Sequence, residues 1–276
     1  MSTMTAESSA VQFEGRRTGA SLGHVIRSEW TKIWSVRSTL WTILSLVVVT
    51  VGLSALFAWG ASSNLSRMSP ADRASLDVTS SALGGLLLGQ LAIAVLGALV
   101  ISGEYSTGGI KATLTAVPTR MRLLFAKWLV FGVVAFIVGE ITAFGAFFVS
   151  MIFWSHHDMA AHLGDPGVLR AVIGGGLYVL ASGMFGFAAG VLIRHSGGSI
   201  GAVVGVLFVA PLLTNALPGQ WGKDINKYFT ANAGQHITDT VHTAGNLSPW
   251  AGYLTITIEW LVPLLFGAWL FKRRDA

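Results

Sequence analysis

The chain has 276 residues, of which 53% are hydrophobic and 11% charged, with a net charge of +5 and no cysteine. A charge fraction under half the soluble norm of about 25% and a mean hydropathy of +0.64 exclude an ordinary soluble domain. They point to an integral membrane protein whose backbone polar groups are satisfied within helices. Disulfides, thiolate metal sites and cysteine nucleophiles are excluded. Most Lys and Arg flank apolar runs, as topology signals do, which argues against nucleic acid as a partner.

Residues 1–20 contain Glu7 and Glu14 and no apolar h-region, so they read as a disordered cytoplasmic tail and not as a signal peptide. In residues 21–37, Leu22, Ile26, Trp30 and Trp34 recur every four residues, and Val25 and Ile33 widen the stripe. Arg27, Thr31, Lys32 and Ser35 fall on the other side. Two tryptophans beside a basic face predict an amphipathic helix in the membrane interface, N-capped by Ser21. Glu29 lands inside the apolar stripe at about 100° per residue. It either snorkels to water or pairs, buried, with a cation of the polar segment 101–127.

Residues 38–276 read as a six-span domain. Leu40–Gly60 is long enough to cross a hydrocarbon core of about 30 Å. Residues 61–80 form a polar loop. Ser81–Ser102 is the second span, with Gly85 and Gly89 placed for close helix approach and Gln90 as its strongly polar residue. Leu123–Trp154 exceeds one bilayer thickness and must tilt or protrude. Val168–Ile193 is glycine-rich, Arg194 and His195 make a tight turn, and the fifth span runs from Gly197 to about Leu217. The outer loop 218–249 carries apolar islands around Trp221, Tyr228 and Phe229 that can dip into the interface. Trp250–Phe271 is the sixth span, closed by Lys272, Arg273 and Arg274. Six spans put both termini on one side; with that side cytoplasmic, thirteen of the 18 Lys and Arg lie inside and five outside. That asymmetry orients the domain N-in and C-in.

Candidate chemistry is sparse. None of the seven histidines lies mid-span. His156, His157, Asp158 and His162, or His236, Asp239 and His242, could bind a divalent ion, but neither spacing is specific, and no metal is expected. Nothing resembles a nucleophile elbow, and Gly219–Asp224 lacks the phosphate-loop spacing. Gln90 reads as an interhelical hydrogen bond or a transport-path contact. Glu140 and Glu259 are intramembrane carboxylates, which mark functional sites by default; alternatively they reach headgroups or an outer vestibule.

The segment Ile101–Lys127 has its own grammar. Gly103 loosens the end of the second span, Gly108 and Gly109 interrupt the helix, and Ile110, Leu114 and Val117 share one face of a short helix that Pro118 stops. Thr119 can cap the next helix. Glu104 is expected to pair with Arg120 or Arg122. At these residues the sequence resembles the membrane subunit (permease) of ATP-binding-cassette transporters, type-2 exporter class. The shared pattern is Glu104, Tyr105, Gly108, Ile110, Lys111, Thr113, Leu114, Pro118 and Arg120, with Gly109 where the family more often has Thr or Ser. SEWTKIWSVRSTLW, with Glu29, Trp30, Lys32 and Trp34, resembles the connecting helix before span one. The KRRDA ending is similar to many actinobacterial members.

The resemblance implies a bacterial plasma-membrane half-transporter that pairs with a second permease copy or paralogue. It implies a coupling segment (residues 103–122) seated in a groove of a cytoplasmic ATPase subunit. No cofactor is expected on this chain; ATP and Mg belong to that partner. The rival readings are a stand-alone proton-coupled transporter using Glu140 and Glu259, against which the lack of a visible inverted repeat counts, and a non-transporting membrane scaffold.

Overall fold

The computed structural model describes residues 21–117, 119–217, 220–241 and 245–273. The N-terminal tail, Pro118, His242 and Arg274 lie outside them. The fold is all-α, with no strand among the described residues. Helix α1 (Leu22–Ser35) starts at Ser21, whose hydroxyl accepts from the His24 amide, and ends at an extended Val36. Then comes α2 (Arg37–Ser63), followed by two short loop helices, α3 (Pro70–Ala74) and α4 (Val78–Ala82). The next three are α5 (Leu86–Ser106), the eight-residue α6 (Gly109–Ala116) and the 36-residue α7 (Arg120–Ser155). Helix α8 (Val168–Ile193) turns into α9 (Ser196–Val204), which continues through a π-helical turn (Gly205–Val209) into α10 (Ala210–Asn215). The outer loop folds into α11 (Gln220–Asn226) and α12 (Thr230–Gln235) before α13 (Pro249–Arg273).

Among the described residues, six helical stretches are long and apolar enough to cross a membrane. Two differ usefully from the sequence expectation. The second span starts at Leu86, not Ser81, because residues 83–85 form a turn whose Gly85 amide donates to Ser54 Oγ of α2 at 3.1 Å. It also runs on to Ser106, so Gly103 and Glu104 are helical. Helix α7, at about 1.5 Å per residue, is roughly 54 Å long, well beyond the ~30 Å hydrocarbon core. It therefore protrudes.

Helix α8 is the axis of the bundle and is packed by α5, α7 and α13. Small residues make its crossing with α5 possible. A Cβ at Gly186 would sit 1.8 Å from the Ala94 carbonyl oxygen, one at Gly190 would sit 2.4 Å from that of Ala98, and one at Gly97 would sit 2.2 Å from that of Gly183. These backbones touch, the close approach that small residues allow between membrane helices. Gly201 differs: nothing lies within 4 Å of its Cβ position, so this glycine of span five makes no close helix approach among the described residues. Gly186→Ala is expected to cost about 1–3 kcal/mol of overpacking, read as a lowered thermal midpoint in detergent. Gly201→Ala should leave the midpoint unchanged. Equal midpoints for both variants would show that the α5–α8 crossing yields more easily than its geometry implies.

The outward surfaces are apolar. Trp41 is 67% exposed, Leu212 70% and Leu265 61%. Such surface is costly in water and suits a lipid solvent.

A candidate coupling site at the basic end

At the Lys/Arg-rich end, α5 leads through Gly108 into α6. Gly108 has φ +72°, a left-handed conformation that glycine adopts without strain, and it turns the chain so that α6 lies outside the bundle. Ile110 and Val117 are buried, with Leu114 partly so; they pack on Val25 and Ile26 of α1 and on Leu123 and Ala126 of α7. The apolar face of α6 is therefore used within the chain. Lys111, Ala112 and Thr115 are exposed. Thr119 precedes α7 in extended conformation, but its side chain makes no cap bond; Thr113 Oγ1 instead donates to the Gly109 carbonyl at 3.1 Å.

Above this patch sits a four-residue charge lattice. Lys127 of α7 is 2% exposed; its Nζ donates to Glu29 Oε2 of α1 at 2.7 Å and to Glu104 Oε1 of α5 at 2.7 Å. Lys32 of α1 donates to the same Glu104 oxygen at 2.5 Å and to Glu29 Oε1 at 3.2 Å. Burying each ion costs several kcal/mol. Two carboxylates and two ammonium groups together leave no net buried charge, and each attraction is stronger than it would be in water. Burial alone would lower the Lys32 pKa, but the bond to Glu104 and the charges of Glu29 and Glu104 hold it above the usual lysine value.

The sequence pointed Glu104 at Arg120 or Arg122, whereas its partners are Lys127 and Lys32. Two facts explain the difference. The α5 helix carries Glu104 to the level of Lys127, and Arg120 lies two turns, about 10 Å, further along α7, while Arg122 is on an exposed face. Glu29 takes the buried role and does not snorkel. Its signal was its place inside the stripe. That stripe divides: Val25 and Glu29 face the protein, while Trp30 and Trp34 stay exposed, with ring centroids 5.9 Å apart.

A second joint closes the same end. Arg194, at φ +58° after α8, stands 5.2 Å from the Tyr105 ring centroid and 5.5 Å from that of Phe271. Two ring faces thus hold one guanidinium and tie the ends of α5, α8 and α13. Beside it the Ser106 and Ser196 hydroxyls are 2.8 Å apart, and His195 Nδ1 accepts from the Gly198 amide to start α9. The sequence read this stretch only as a turn.

The other candidates lie away from the lattice. Gln90 is fully buried, and its Oε1 is 2.5 Å from the Tyr178 hydroxyl of α8. That hydroxyl is also 3.2 Å from the Ala231 carbonyl of α12. Glu259 accepts from Thr230 Oγ1 at 2.5 Å. Gln90, through Tyr178, and Glu259 are thus both connected to α12, which enters the bundle from the end opposite the basic one. Tyr178 lies ten residues, roughly 15 Å, below the start of α8, so α12 reaches about half-way into the hydrocarbon depth. Irregular backbone is tolerated there because it is buried in protein: Thr230, Ala231 and Ala233 are at most 2% exposed. Glu140 stands apart against Gly176 of α8, with Oε1 buried and without a hydrogen-bond partner among the described residues.

The outer loop is pinned from two sides. Asp77 accepts from the Thr240 and Val241 amides, and Arg170 donates to the Ile237 and Asp239 carbonyls. His236 and Asp239 pair at 2.8 Å, and no described group of three such ligands is placed to hold a metal.

The described residues thus form a six-span helical bundle with a short amphipathic helix at its basic end. Residues 24–276 match the family described as ABC-2 family transporter protein, so the chain belongs to that family. None of the curated proteins compared with it matches.

Proposed function

We propose that this permease forms the translocation path of an ATP-driven exporter in a bacterial plasma membrane, working with a second permease copy or paralogue. Two cytoplasmic ATPase subunits bind ATP and Mg and drive it, and the exported molecule belongs to the drug, antibiotic, lipid or peptide class. The observation that carries the coupling role is the charge lattice. It joins α1, α5 and α7 directly above α6, so a push on the exposed side of α6 is delivered to two spans and the interfacial helix together. Lys111, Ala112 and Thr115 supply the face an ATPase groove would meet.

The test is reconstitution of the permease with its ATPase and measurement of hydrolysis against candidate substrates. Substrate-stimulated hydrolysis is expected. Proton-gradient-driven flux without the ATPase would overturn the reading. Orientation has its own check. Thr115→Cys, the only cysteine in such a variant, is expected to react with an impermeant maleimide in inverted vesicles and not in intact cells. Labelling from outside would reverse the topology.

A further inference from the structure

A cavity of about 550 Å³ lies between α1, α2, α5 and α7 on the membrane side of the charge lattice. Its ends differ in chemistry. Lys32, Lys127, Glu29 and Glu104 close one end, and the walls beyond are Ile43, Leu96, Leu99, Val100, Val130 and Val134. Val36, Ser38, Thr42 and Leu99 at its rim are exposed, so it opens sideways toward the lipid, between α2 and α5. At Thr42 it meets a second hollow of about 370 Å³ that follows the α2–α5 seam to Gly89. A charged end joined to an apolar channel is the shape of an amphiphile's site, and the volume falls in the roughly 300–1,000 Å³ range of ligand pockets.

We infer that this cavity binds one anionic phospholipid of the surrounding inner leaflet, its phosphate at Lys32 and an acyl chain along the α2–α5 seam. Three features favour a phosphate. Glu29 and Glu104 are the only described carboxylates at this end, and both are engaged with lysines. The Lys32 side chain is 42% exposed at the mouth and has three N–H groups, of which two are used. The first turn of the 27-residue α2 also opens at the mouth, with no side-chain cap at Val36, so its amides and dipole favour an anion. The inference does not depend on the direction of transport.

The experiment uses the full chain in detergent, exchanged into phosphatidylglycerol or phosphatidylcholine with identical acyl chains and washed. Retained lipid is then counted by mass spectrometry. Wild type is expected to retain phosphatidylglycerol with a preference of about fivefold, the factor one lysine contact near a membrane gives. Lys32→Gln should bring the preference close to one, and Lys32→Arg should keep it. Gly103 lines the cavity and has nothing within 4 Å of its Cβ position, so Gly103→Phe should fill it and lose the lipid at an unchanged melting temperature. On wild type alone, phosphatidylglycerol carrying a photoreactive acyl chain should label the Trp41–Val49 peptide of α2 and the Leu88–Val100 peptide of α5. Equal retention of both lipids by wild type, or labelling confined to α10 and α13, would overturn the inference. So would a Gly103→Phe chain that keeps its lipid but changes oligomeric state, which would assign the groove to a second copy.

Discussion

Lys127→Met is expected to be the most destabilising single change in the charge lattice, by about 3–5 kcal/mol. The side chain is 2% exposed and bridges Glu29 and Glu104; removing it leaves two carboxylates around Lys32 and one uncompensated buried charge. Volume is nearly kept, so packing is not the cause. The control is the double variant Glu29→Gln/Lys127→Met, which removes one carboxylate with the ammonium and leaves the Lys32–Glu104 pair. It should recover most of the loss, giving an interaction energy well above the roughly 0–1 kcal/mol of a surface pair. Chemical denaturation of the four proteins in one detergent makes the measurement. Additive losses in the double would mean that the two residues do not act through each other.

How much of this was legible in the residues follows from what carries the signal. The spans are set by hydropathy and length, and α8 begins and ends where the apolar run Val168–Ile193 does. The start of α5 was misplaced because nothing in Ser81–Gly85 shows that Ser54, 31 positions away, would take the Gly85 amide. Glu29 was visible as an anomaly, a carboxylate inside an apolar stripe, and it proved to be a lattice member. Its partner could not be chosen from sequence, since four cations follow Glu104 within 23 residues and only helix phase and protrusion select Lys127. Trp30 and Trp34 read as an interfacial stripe and stay exposed; periodicity could not show that Val25 and Glu29 would turn to the protein, because it cannot tell a face turned to lipid from one turned to protein. Tyr178 and α12 were missed for a related reason. A polar outer loop gives no sign that Thr230 and Ala231 will be buried against Tyr178 and Glu259.

The lattice and the Arg194 joint divide the basic end between them. The lattice binds α1, α5 and α7; Arg194 binds the ends of α5, α8 and α13. Helix α5 is common to both, and α6 hangs from it through a single left-handed glycine. Force applied to α6 therefore reaches the bundle through its apolar seat on α1 and α7 and, along the chain, through residues 104 and 105, adjacent in sequence and assigned to different joints.

Glu104→Gln is expected to separate hydrolysis from transport. The carboxylate oxygen that receives both Lys32 and Lys127 becomes a neutral amide, and the lattice is left with one carboxylate for two ammonium groups. Lys32 can move its charge toward water because it is part-exposed, which opens the α1–α5 contact, whereas buried Lys127 stays on Glu29. The fold should persist, because no carboxylate is stranded and α6 keeps its apolar seat on Val25 and Leu123. What is lost is the rigid link from α5 to α1. In proteoliposomes with the ATPase, hydrolysis should continue while substrate movement falls about tenfold or more, the effect of weakening coupling by some 1.4 kcal/mol. Glu104→Gln/Lys32→Gln restores neutrality around the Lys127–Glu29 pair and should regain part of the transport. Glu104→Arg combined with charge reversal at Arg122 should regain none, because Arg122 is not in the lattice. Full transport in Glu104→Gln would reduce the lattice to a structural role, and rescue through Arg122 would relocate the partner of Glu104 in the working transporter.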